Sequence, residues 1–183
     1  MCKDNHMEDL QLLQSCLEGK VEDFMKVIDK YKGKALALAW NYMGNREDAE
    51  DACQDAFLKA YLNLNTFDFS KSFKDWFFTI LCNRCKDQLR KRHRFQTFIW
   101  STKREVLDRV NQTPGKSGSS LKIPDGILEK LRPKERLSLY LWAQDGYTSE
   151  EIAGLMKCSP STARVHLFKA RKKLKSLLEA SHV

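Results

Sequence analysis

Apolar positions recur at helical spacing along most of this chain, and no alternating run is long enough to predict a strand. Leu10, Leu13 and Leu17 form one stripe over residues 8–18. Phe24, Val27, Ile28 and Tyr31 form a second, and Leu36, Leu38, Ala39, Trp40 and Met43 a third. Gly33 marks either a break between these two or only a weak spot. Gly44-Asn45 is a turn signal, and Asn45 is placed to cap the next helix, with Glu47 and Asp48 suited to its first turn. Ala49, Ala52, Cys53, Ala56, Phe57 and Ala60 give that helix an apolar face of mostly small side chains, which favours close packing. Asp48, Asp51, Asp55 and Leu58 share its other face. Residues 62–73 have loop composition but carry Phe67 and Phe69, which either fold into the core or wait for unstacked bases. Ser72 can cap a helix with Phe73, Trp76, Phe77, Ile80, Leu81 and Leu89 as its apolar positions and a basic end from Arg90 to Arg94.

Periodicity fades from Phe95, and Thr113 to Ser120 have the composition of a flexible linker. Helical spacing resumes with Ile127, Leu128 and Leu131, and Arg132-Pro133 interrupts it because proline disfavours helix in the residue before it. Lys134 to Gln144 predicts a helix burying Leu137, Tyr140 and Leu141, followed by an Asp145-Gly146 turn. Thr148 or Ser149 can cap the next helix, which buries Ile152, Leu155 and Met156. Ser159-Pro160 then starts a last helix rich in Lys and Arg. A short helix, a tight turn and a capped basic helix fit a helix-turn-helix, whose second helix enters the DNA major groove. The expected fold is all-α: helical domains at 1–95 and 125–183, the latter a helix-turn-helix, joined by a flexible linker at 96–124.

Charge strengthens this reading. The 183 residues carry a formal net charge of +8, which makes nucleic acid the first partner to consider. No apolar run approaches a membrane span and the N-terminus lacks a signal core, so no membrane insertion and a cytoplasmic location are expected. Of the six cysteines, Cys16, Cys53, Cys82 and Cys158 sit in or beside apolar helical patterns, as buried reduced thiols do. Cys82 and Cys85 have metal-ligand spacing, but no second pair or histidine cluster completes four ligands. No metal, cofactor or catalytic residue is expected.

Three stretches in order now resemble a known family, the extracytoplasmic-function (ECF) sigma factors of the sigma-70 class. Residues 44–61 resemble its core-polymerase-binding helix, 73–92 its promoter minus-ten helix, and 148–175 its fourth-domain helix-turn-helix. The resemblance implies a transcription initiation factor whose partners are core RNA polymerase, through the beta-prime clamp helices and the beta flap, promoter DNA and an anti-sigma factor able to hold it at the membrane. It assigns polymerase binding to Asp48, Asp51, Gln54, Asp55 and Leu58. It assigns the melted minus-ten strand to Asn65, Thr66, Phe67, Asp68, Phe69 and Ser72 of the loop, with Asn83, Arg84 and Asp87 of the following helix. It assigns the minus-thirty-five element to Ser161, Thr162, Arg164, Val165, Phe168, Lys169 and Arg171, with His166, Lys169 and Arg171 better suited to phosphates or the flap than to bases.

The chain departs from the family pattern at Tyr61, where tryptophan is frequent, at the Lys157-Cys158 turn, and at Val165, where a small polar residue is frequent. A valine there would make groove contact apolar, for instance with a thymine methyl. A competing reading is a helix-turn-helix regulator that works without polymerase, but it leaves the acidic helix and the aromatic loop without a task. A thiol oxidoreductase built on Cys82 and Cys85 lacks a supporting constellation.

Overall fold

The computed structural model describes residues 3–102 and 128–181, and within them not the side chains of 3–6, 93–102, 129, 145 and 180–181. Most of the expected linker lies outside the described residues. Among the described residues the fold is all-helical, with no strand.

The N-terminal unit consists of α1 (Lys3–Leu17), α2 (Glu22–Met43), α3 (Arg46–Leu62) and α4 (Phe73–Thr102), with a 3-10 turn at Leu64–Thr66. α2 runs unbroken through Gly33, where an added Cβ would meet no atom within 4 Å, so that glycine is only a weak spot. The two apolar stripes on either side of it are one helix. α1 is fixed to α2 by Asp9, which is buried and accepts hydrogen bonds from the Tyr31 hydroxyl and the Lys30 ammonium. Leu17, the last residue of α1, is exposed despite lying on the predicted stripe.

Asn45 caps α3, its side-chain oxygen accepting the Asp48 N–H at 2.8 Å. Ala49, Ala52, Ala56 and Ala60 are fully buried, and α3 packs against both α2 and α4. The small face therefore does what its composition predicts. Aromatic rings fill the space left over. Phe57 stacks on Phe77 with centroids 4.4 Å apart, and Tyr31 meets the edge of Phe73 at 5.7 Å. Such pairs contribute about 0.5–1.5 kcal/mol beyond the area they bury.

The C-terminal unit begins with a 3-10 turn at Leu128–Lys130 and contains α5 (Pro133–Asp145), α6 (Ser149–Met156) and α7 (Pro160–Ser181). Arg132 is extended, as the residue before proline should be, and its N–H donates to Glu135 at 3.2 Å. Thr148 caps α6 in a reciprocal box: its hydroxyl accepts the Glu151 N–H at 3.3 Å, and its own N–H donates to the Glu151 carboxylate at 2.7 Å. Lys157, with φ of 48°, makes the left-handed turn into α7. Ser159 caps α7, accepting the Thr162 N–H at 3.2 Å. Tyr140 is half-buried at the rim of the core rather than inside it.

The two units pack on each other, α2 against α5 and α4 against α6. Their buried side chains join in one apolar cluster that includes Tyr42, Phe78 and Cys82 from one unit and Leu137, Ile152 and Met156 from the other.

Candidate nucleic-acid interface

α3 presents one exposed stripe toward solvent. Asp51, Gln54 and Leu58 are exposed along it, and Leu58 keeps 58% of its surface open. The other two acids of this face lean toward α4. Asp48 pairs with Arg92 at 3.2 Å and accepts from the Asn45 amide at 2.6 Å, and Asp55 pairs with Arg84. The four residues do share a face, as their spacing predicts, but Asp51 is exposed while Asp48 and Asp55 bridge to the basic helix beside them.

The loop after α3 is built on stacked rings. Phe67 is only 5% exposed, with its centroid 5.1 Å from Trp76 and 5.8 Å from Phe73. It is a core residue, closed to bases in this arrangement, because its ring fills the gap between the loop and α4. Phe69 is half-buried and lies 5.2 Å from the Phe67 ring, so it rests on that stack with part of its surface open. Asn65, Thr66 and Asp68 are exposed. Asp68 organises the loop tip, accepting the Ser70 hydroxyl at 2.7 Å, the Ser70 N–H at 3.0 Å and the Lys71 ammonium at 3.0 Å. The Ser70 and Lys71 contacts hold its carboxyl down to about 2. Ser72 caps α4, its hydroxyl accepting the Asp75 N–H at 3.3 Å.

On α4, Asn83 and Asp87 are one turn apart on the same stripe, half-buried and exposed respectively. Arg84 does not join them. Its guanidinium turns to Asp55, and its Nε is buried without a hydrogen-bond partner. The family resemblance placed Arg84 with Asn83 and Asp87, and its ion pair with Asp55 is a contact between helices that the sequence does not announce.

α7 divides cleanly. Ala163, Leu167 and Ala170 face inward, while Ser161, Thr162, Arg164, Val165, Phe168 and Lys169 are exposed. Val165 and Phe168 keep 47% and 66% of their surface open, one turn apart beside Arg164. Single exposed apolar residues are ordinary. Here a valine and a phenylalanine lie together on the outer face of a basic helix as a small exposed apolar patch. Arg164 is not idle in the free protein: it donates to Glu150 of α6 at 2.6 Å, and that contact lowers the Glu150 carboxyl pKa. Arg171 packs back on α5 instead, with its guanidinium 4.1 Å from the Trp142 ring centroid. It borders a groove of about 380 Å³ that Leu139, Leu174 and Leu178 also line. His166 is half-buried between α7 and α5, and burial followed by the nearby Lys134 lowers its pKa.

Glu150 and Trp142 are missing from the sequence-based site. Glu150 lies 14 residues before Arg164, a separation that becomes contact only through the helix-turn-helix geometry.

Cys53, Cys82 and Cys85 are buried, and burial pushes the Cys53 and Cys82 thiols up to about 12. A thiol so held is a poor nucleophile. Among the described residues no group of His, Cys, Asp and Glu side chains is arranged to hold a metal, and no helix is long and apolar enough to cross a membrane.

These features define an all-helical protein with a DNA-binding helix-turn-helix in one unit and a helix with an exposed acidic and apolar stripe in the other. Comparison with known proteins narrows this. The sigma-70 region 2 family profile matches residues 27–95, and the sigma-70 region 4 profile residues 125–174. The ECF RNA polymerase sigma factor SigW of Bacillus subtilis is 27% identical over 173 residues, covering 88% of this chain and 91% of that protein. The ECF RNA polymerase sigma-E factor of Escherichia coli K12 is 27% identical over 178 residues, covering 90% and 91%. In solved structures, the sigma factor RpoE in complex with the anti-sigma factor NepR from Bartonella quintana superposes with a TM-score of 0.67 at 27% identity, covering 86% of this chain and 98% of that one. CnrH in complex with the cytosolic domain of CnrY gives 0.62 at 25% identity, covering 94% and 98%. This chain belongs to the ECF sigma factors of the sigma-70 family, DNA-recognition subunits that direct promoter-specific transcription initiation.

Proposed function

We propose that this sigma factor binds core RNA polymerase through the exposed stripe of α3, led by Asp51, Gln54 and Leu58, and reads promoter DNA with two separate surfaces. α7 enters the major groove of the minus-thirty-five element. Arg164 reads a base edge there, Val165 and Phe168 meet apolar features such as thymine methyls, and Ser161, Thr162 and Lys169 hold the backbone. The loop from Asn65 to Ser72, with Asn83 and Asp87 of α4, holds the melted minus-ten strand. Phe69 is the aromatic platform and Phe67 supports it from beneath. Base stacking on such a platform contributes about 1–3 kcal/mol per base. Residues 1–95 and 125–183 form the two domains, and the segment between them tethers the second contact to the first. The protein works in the cytoplasm and performs no chemistry itself; nucleotidyl transfer belongs to the polymerase.

The observation that carries this reading is the coexistence of three exposed surfaces of different character. They are acidic and apolar on α3, aromatic and polar on the loop, and basic and apolar on α7. A regulator without a polymerase partner uses only the last. Complexes of related sigma factors with anti-sigma proteins support a similar inhibitory partner for this chain. Retention by immobilised core RNA polymerase, reduced by Asp51→Arg, is the expected result; equal retention of both proteins would refute the assignment of α3.

A further inference from the structure

α1 lies outside the residues matched by the sigma-70 region 2 profile, which begins at residue 27, and no surface of the proposed function uses it. It nevertheless carries a group that is expensive to bury. Asp9 is 3% exposed, and a carboxylate taken out of water destabilises the fold unless donors meet it. Two residues of α2 meet it. The Tyr31 hydroxyl donates to Oδ2, and the Lys30 ammonium donates to Oδ1 and also to Glu8 at 3.0 Å. Leu13, one turn further along α1, is fully buried, so apolar contact already joins this helix to the core. Replacing a buried ion pair by packed apolar side chains is often neutral or stabilising. Adhesion alone therefore does not account for the polar set, which adds direction.

That direction leads to the loop after α3. The hydroxyl is the point of the Tyr31 side chain farthest from the backbone, so anchoring it restricts the tilt of the ring. The Tyr31 ring lies edge-on to Phe73 with centroids 5.7 Å apart. The Phe73 ring is perpendicular to Phe67 at 5.8 Å, and Phe67 supports Phe69 at 5.2 Å. Four rings thus connect the α1 carboxylate to the half-open Phe69. α1 also packs against the 3-10 turn at Leu64–Thr66, which opens the loop, and against α4. An interior at native packing density passes a small displacement on to its neighbours instead of absorbing it.

We propose that Asp9 is a positioning residue for capture of the melted minus-ten strand. Through Tyr31, Phe73 and Phe67 it holds Phe69 at the height and tilt that an unpaired base needs to stack. This inference rests on the function proposed above, in which Phe69 is the aromatic platform. α1 then belongs to the strand-reading unit without touching DNA. A platform fixed before the base arrives avoids the ordering cost that a loose one meets on binding. Loss of the Asp9–Tyr31 contact leaves Phe69 its surface but not its fixed position.

The test is binding of the holoenzyme to a labelled single strand copied from the minus-ten region of a start site mapped with this protein. Binding to a duplex holding only the minus-thirty-five element is measured beside it. Tyr31→Phe and Asp9→Ala should each weaken strand binding about two- to tenfold, as removal of one hydrogen bond does. Core retention and duplex binding should stay at wild-type levels. Asp9→Asn, whose amide oxygen still accepts the Tyr31 hydroxyl, should recover most of the loss. Tyr31→Phe carries the test if Asp9→Ala loses helicity by circular dichroism. In a Phe69→Ala background, Tyr31→Phe should change strand binding by less than about twofold, because no platform is left to position. Folded Tyr31→Phe protein with wild-type strand affinity, or a full further loss on top of Phe69→Ala, would overturn the inference and leave the platform reading standing. Phe69→Ala protein that binds the strand as wild type does would sink the platform reading and this inference with it.

Discussion

Arg164 gives the sharpest quantitative prediction, because its cost of reaching DNA can be read from the structure. In the free protein it is paired with Glu150 at 2.6 Å, and both side chains are about 60% exposed. An exposed pair of this kind contributes about 0.2–1 kcal/mol. To reach a base edge Arg164 must leave Glu150, whose carboxylate also stands beside the recognition surface as an uncompensated charge. Arg164→Ala removes the base contact and should weaken binding to the minus-thirty-five element by about 1–3 kcal/mol, or about 5- to 150-fold. Glu150→Ala should act in the opposite direction, tightening binding by up to about fivefold. The two effects should not add: in the Arg164→Ala background, removing Glu150 should recover only the small part due to its charge near the phosphates. The assay is competition binding of the holoenzyme to promoter duplexes that vary only in the minus-thirty-five element, at one fixed salt concentration. Equal losses for Arg164→Ala on matched and scrambled elements would refute base reading and make Arg164 a phosphate contact. A full Glu150→Ala gain without Arg164 would show that the ion pair has no part in recognition.

Asp51→Arg and Leu58→Ala should each reduce affinity for core polymerase while leaving helicity and melting temperature near those of wild type, because both side chains are exposed; pull-down with core enzyme measures the first and thermal denaturation the second. Gly44→Ala should destabilise the fold by about 1–2 kcal/mol, seen as a lower melting temperature, since alanine must adopt a left-handed φ and crowd Arg136. Because burial raises their pKa, the thiols of Cys53, Cys82 and Cys85 should react slowly with alkylating reagents at pH 8 in the native protein and readily in denaturant; mass spectrometry of the labelled peptides measures this, and rapid native labelling would refute their enclosure. Half-buried His166 has a lowered pKa, so its folded form prefers the neutral ring. Stability should fall as pH drops from about 7 through its unfolded value, near 6.5, toward the folded one, and His166→Gln should flatten that part of the profile.

Local signals proved readable where side chain and backbone interact within a few residues. The Asn45, Thr148 and Ser159 caps, the alanine face of α3 and the inward triad of α6 all depend on spacing alone. The continuity of α2 through Gly33 was ambiguous because one glycine costs a helix less than its tertiary packing supplies. The fate of Phe67 and Phe69 could not be settled from a polar loop. Only the approach of Trp76 and Phe73 decides that one ring is buried and the other rests on it. The same holds for pairs distant in sequence. Arg84 with Asp55, Arg164 with Glu150 and Arg136 with the end of α2 arise from helix packing, and no residue pattern announces them. The candidate surfaces were thus legible as helices and loops, while the pairing of each charge with another part of the chain needed the fold.

The central claim is that this chain gives core RNA polymerase its promoter choice through two DNA contacts. Run-off transcription with purified core enzyme, followed by start-site mapping, tests it most directly. Addition of the protein should produce discrete starts, with a minus-ten and a minus-thirty-five element at fixed spacing upstream. Arg164→Ala and Phe69→Ala should weaken those starts through separate elements. Transcription that begins at the same positions without the protein, or a protein that shifts no start sites while binding duplex DNA alone, would contradict the account.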